Sequence, residues 1–62
     1  MERNTVTTFS ELKTGDRFYR SNDKTKTVWE KDSVGNAKQY NQQYAMRMRS
    51  NEQVIYLRSN IN

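Results

Sequence analysis

The chain has 62 residues, with eleven Lys and Arg against seven Asp and Glu, a formal charge of +4 and a pI near 9.7. That length holds one core, so residues 1–62 read as a single domain. With neither Cys nor His, disulfides, the familiar zinc ligand sets and every thiol or imidazole mechanism are excluded.

Mean hydropathy is low at −1.23, yet four Tyr, two Phe and one Trp fall in short runs between turn signals, which is not the pattern of a disordered chain. Five such runs suit a pleated surface. The first is Asn4 to Phe9. The second, Arg17 to Ser21, follows Gly15-Asp16, and the third, Lys26 to Asp32, follows the polar turn Ser21-Asn22-Asp23-Lys24. Ser33-Val34-Gly35-Asn36 reads as a hairpin connection in which Gly and Asn accept a positive φ.

The fourth run lies within Ala37 to Arg49 and divides near Asn41-Gln42. Tyr40, Tyr44 and Met48 recur at a helical interval. Tyr44, Met46 and Met48 also share one face of a strand, and the strand reading is preferred. Ser50-Asn51-Glu52 turns the chain into the fifth run, Gln53 to Arg58, and residues 59–62 read as a frayed tail. Five short strands joined by tight turns predict an all-β fold curled into a small five-stranded barrel, SH3-like or OB-like. The candidate core is Val6, Phe9, Leu12, Phe18, Val28, Trp29, Tyr44, Met46, Met48, Val54, Ile55, Tyr56 and Leu57. A core this thin gains support from self-association, so a homodimer is one expectation, although no residue marks it directly.

Phe9-Ser10-Glu11-Leu12-Lys13-Thr14-Gly15-Asp16-Arg17-Phe18 has the form F-x-x-L-x-x-G-D-x-F. Phe9 and Leu12 can point inward from one irregular or 3₁₀ turn, Gly15 supplies a permissive backbone and Asp16 can bond neighbouring amides. The phrase resembles the opening of small proteins from tailed phages and related mobile elements, in which a later strand carries an aromatic and a Lys. Trp29-Glu30-Lys31 matches that second feature. Similar Leu…Gly-Asp phrases open SH3-like barrels in ribosome- and RNA-associated proteins. The resemblance implies a compact barrel of phage descent. Glu11 stands where the phrase often has Asp, and the segment from Asn36 to Gln43 has no counterpart in it.

Catalysis is not expected. Glu30 and Asp32, two apart, read as a solvated pair, the serines have no His to activate them, and Gly15-Asp16 is a turn rather than a phosphate loop. No cofactor or metal is expected either. The longest apolar run, Val54 to Leu57, falls far short of the roughly 20 residues of a membrane-spanning helix, and the N-terminus has no secretory pattern; a cytoplasmic protein without a membrane partner is the expectation.

Residues 17–62 hold nine basic and four acidic side chains, so the positive excess falls on the strands. If Phe18, Val28, Met46, Met48, Ile55 and Leu57 point inward, parity turns Arg17, Tyr19, Trp29, Lys31, Arg47, Arg49, Tyr56 and Arg58 outward, and of these Tyr19, Trp29, Lys31, Arg47, Arg49 and Arg58 are the candidate contacts. Aromatic rings among cations are the chemistry of single-stranded nucleic-acid binding. The opposite register, with Trp29 facing in beside Val54 and Tyr56, is equally legal. A protein-binding module of phage type, acting as inhibitor, adaptor or virion component, is the alternative function, for which Tyr40, Tyr44, Met46 and Met48 would suit an adaptable contact.

Overall fold

A computed structural model describes residues 1–59, and among them the chain forms six β-strands and one 3₁₀ turn. The strands are β1 (Thr5–Thr8), β2 (Asp16–Arg20), β3 (Trp29–Ser33), β4 (Asn36–Gln39), β5 (Met46–Arg47) and β6 (Gln53–Ser59). The 3₁₀ turn is Phe9–Glu11. All pairings are antiparallel within a single sheet of order β1-β6-β2-β3-β4-β5. The fold is all-β. Its sheet is not closed, because β1 and β5 stand at opposite edges, and six strands replace the five expected.

Two segments depart from their expected form. Residues 26–28 belong to the loop before β3 rather than to the strand itself, since Lys26 takes a positive φ of 55° that ends extended pairing. The segment after β4 is neither a helix nor one long strand. Asn41, at φ 71°, reverses the chain, the Gln42 N–H donates to the Gln39 carbonyl at 3.0 Å, and only Met46–Arg47 rejoin the sheet. Of the expected tail, Ser59 ends β6 and residues 60–62 lie outside the described residues.

The core comprises Phe9, Leu12, Phe18, Trp29, Ala37, Met48, Val54 and Tyr56. Phe9 and Phe18 meet edge to face with centroids 5.7 Å apart, a favoured geometry for paired rings. Cross-strand pairing explains the selection: Phe18 lies opposite both Tyr56 and Trp29, and residues directly opposite share a face. Val6, Tyr44 and Met46, expected inside, are exposed. Val28, Ile55 and Leu57 are half-buried, and Ala37 takes a core place that its size did not advertise.

The F-x-x-L-x-x-G-D-x-F stretch builds one end of this core. Gly15, at φ 96°, occupies the third position of the turn Lys13–Asp16, where a type II turn requires φ above zero. The Asp16 N–H donates to the Lys13 carbonyl at 2.9 Å, and the Lys13 N–H donates to Asp16 Oδ2 at 2.8 Å. The Gly15 N–H then donates to the Lys31 carbonyl at 2.9 Å, fastening the turn to β3. The hairpin at Ser33–Asn36, where the sequence suggested a positive φ, is made without one at Gly35.

Candidate functional site

Trp29, Lys31 and Tyr56 are all buried, so none of them contributes to an exposed surface. This corrects the outward register. Trp29 packs among the core residues, and Lys31, two positions on, must follow it inward. The Lys31 side chain is only 5% exposed. Its Nζ donates to the carbonyls of Phe9 at 3.0 Å and Leu12 at 2.7 Å, and lies 4.5 Å from the Phe9 ring centroid. A buried ammonium is tolerated only where such partners replace water. Lys31 is therefore a clamp that satisfies the carbonyls of the 3₁₀ turn, and the two parts of the resembled phrase meet at this contact.

The opposite face of the sheet carries a different chemistry. Arg17, Tyr19, Glu30, Lys38 and Ile55 point outward in register: Arg17 faces Glu30, Glu30 faces Lys38, and Tyr19 faces Ile55. A break in regular pairing between β2 and β6 sets Phe18 opposite Tyr56 but Arg17 opposite Arg58, leaving Leu57 as the extra residue. That bulge brings Leu57 and Arg58 together beside Arg17. With Arg3 and Val28 they line a cleft of about 260 Å³.

A second cleft, of about 460 Å³, lies on the other side of Arg17 and is bounded by Glu30, Lys38 and the chain from Gln39 to Gln43. Arg17 is common to both. Its Nε stands 3.3 Å from Glu30 Oε1, and its guanidinium lies 5.4 Å from the Tyr40 ring centroid. The pairing fixes the direction of a long side chain at the join of the two clefts.

Tyr19 has its own cation, since Lys26 Nζ stands 5.9 Å from its ring centroid. A left-handed backbone at a residue with a Cβ costs roughly 1–2 kcal/mol, and Asp23 supplies what holds Lys26 there. Its carboxylate accepts from the Thr25 N–H at 2.9 Å, the Thr25 hydroxyl at 2.7 Å and the Thr27 N–H at 3.1 Å. These bonds, the Thr25 hydroxyl foremost, hold the Asp23 carboxyl below its ordinary value of 3.8.

Of the six candidate contacts, Tyr19, Arg47 and Arg58 stand on this face, Arg47 being opposite Asn36, which keeps the outward phase of Lys38. Arg47 on β5 and Arg49 beyond it are exposed, but neither lines either cleft. Sequence reasoning passed over Arg3, Lys26 and Lys38, and took Tyr40 only as a contact for a protein partner. Alternation turned Arg17 outward with Tyr19 without marking it as a contact, and the bulge and the left-handed Lys26 leave no sequence mark. Among the described residues, no group of three acidic side chains is placed to hold a metal ion. Neither a protein family, nor a curated protein, nor a solved structure matches this chain.

Proposed function

We propose that the outer face binds single-stranded nucleic acid, as a non-enzymatic module on a curled sheet of SH3-like or OB-like character. Arg17 carries the reading. It joins two clefts, so Arg3 and Arg58 on one side and Lys38 on the other form a line of cations across the sheet. From β6 to β4 this line spans three inter-strand spacings, about 14 Å. Cations so arranged suit successive phosphates, and the rings of Tyr19 and Tyr40, each with a cation over it, suit the bases between them.

The test is a fluorescence-anisotropy titration of an unstructured oligonucleotide at rising salt. Single-strand binding falls with a log–log slope of about −0.7 per phosphate contacted. Three or four contacts therefore weaken binding roughly 20- to 50-fold over a fourfold rise in salt. Binding that ignores salt, or no binding at low salt, contradicts the reading.

A protein partner is the second reading, favoured by the apolar strip of Val6, Ile55, Leu57 and Val28 between the same cations and by the open edges at β1 and β5. A second copy of the chain is among the partners it suits. Binding centred on that strip would weaken far less with salt.

A further inference from the structure

The larger cleft has a composition that phosphate binding alone does not explain. Tyr40 is 61% exposed, although its backbone is tied down: its N–H donates to the Val28 carbonyl at 2.9 Å. A large ring is thus held in water on a rigid strand end. Beyond it, the reversal at Asn41 presents Asn41, Gln42 and Gln43, all exposed, as a wall of amide side chains. Amides both donate and accept. Phosphate needs only donors, whereas the edge of an unpaired base presents donors and acceptors together.

We infer that this cleft takes one unpaired nucleobase, stacked on the Tyr40 ring with its edge toward the amides of residues 41–43. The inference rests on the nucleic-acid reading above and assigns it a base-dependent subsite. The cleft volume, about 460 Å³, lies within the roughly 300–1,000 Å³ of small-ligand sites. Arg17, over the ring and paired with Glu30, forms the floor, and Lys38 stands beside it for the neighbouring phosphate. A duplex hides its base faces in the stack, so this subsite discriminates against duplex. An acidic peptide would use the cations but leave ring and amides idle.

The experiment compares three probes at one low salt concentration: an unstructured oligonucleotide, the same backbone with abasic positions throughout, and the corresponding duplex. Each is titrated against the parent, Tyr40→Phe and Tyr40→Ala. Because Tyr40 is mostly in solvent, both variants should retain the parent's circular dichroism and melting temperature. The parent should prefer the intact strand over both the abasic strand and the duplex. Tyr40→Phe should keep that preference. Tyr40→Ala should lose about 5- to 150-fold in affinity for the intact strand, the range that stacking supplies per base, and little for the abasic one. Equal binding of intact and abasic strands, or an unaffected Tyr40→Ala, overturns the base site while leaving phosphate binding standing. Failure of the parent to bind any strand overturns both.

Discussion

Lys31 and Arg17 lie on neighbouring strands and carry the same charge, yet they act on opposite faces of the sheet. Lys31 is inside, bonded to two backbone carbonyls and set against the Phe9 ring. Arg17 is outside, paired with Glu30 and shared by two clefts. The difference comes from parity alone, because Lys31 keeps the phase of Trp29 whereas Arg17 keeps that of Tyr19. A count of cations therefore overstates the surface available for binding. In this sheet one cation is a structural group, and its substitution should act on stability rather than on affinity.

The largest expected effect belongs to the inner cation. Lys31→Met keeps the length of the side chain but takes the ammonium donor from the Leu12 carbonyl and leaves the Phe9 carbonyl with the Leu12 N–H alone, and an unsatisfied buried group costs about 1–3 kcal/mol. A domain of this size draws only about 3–5 kcal/mol from its core. The variant should therefore melt well below the parent by circular dichroism, and a melting temperature equal to the parent's would contradict a clamping role for Lys31.

Arg58→Glu should show the converse. Its side chain is exposed on the outer face, so melting should not change, while affinity for an unstructured oligonucleotide should fall several-fold and the salt slope should flatten by about 0.7 or more. Unchanged slope would detach Arg58 from the interface and blur the contrast between the faces.

The smallest effect concerns the loop that aims Lys26 at Tyr19. Asp23 is held below its ordinary value of 3.8 by the Thr25 hydroxyl and the Thr25 and Thr27 N–H groups. A carboxyl depressed on folding contributes stability that is present above its unfolded value and is lost as pH falls through its folded one. Amide exchange at Thr25 and Thr27 should stay slow relative to the rest of the loop from neutral pH down to about the ordinary carboxylate value, then lose protection in stronger acid. Asp23→Asn should remove that pH dependence.

The all-β class and the turn signals were legible because β-branched and aromatic residues alternate with polar turns. So was the staple at Phe9, Leu12 and Gly15, whose turn residues and inward pair match their observed roles. Register was not legible, because Val28-Trp29 and Ile55-Tyr56 each offer an apolar residue to either face. Packing decided it: Phe18 meets Trp29 and Tyr56, while the smaller Val28, Ile55 and Leu57 are left half-buried outside. Of the outer face, Arg17, Tyr19, Arg47 and Arg58 were turned outward by alternation. The clefts that meet at Arg17 were not legible, because they depend on the bulge and on the reversal at Asn41. Tyr40 was obscured by a helical spacing that Asn41 interrupts, and Lys26 by a left-handed turn in a residue type that seldom adopts one.

The division of labour between the two faces is tested most directly by mapping amide and indole shifts of the ¹⁵N-labelled protein as an unstructured oligonucleotide is added at low salt. The account predicts shifts concentrated at Arg17, Tyr19, Lys38, Tyr40, Leu57 and Arg58, with the Trp29 indole and the Lys31 amide nearly still. Shifts centred instead on Glu11, Lys13 and Ser59, which line a separate cleft, or an unmoved spectrum, would contradict it.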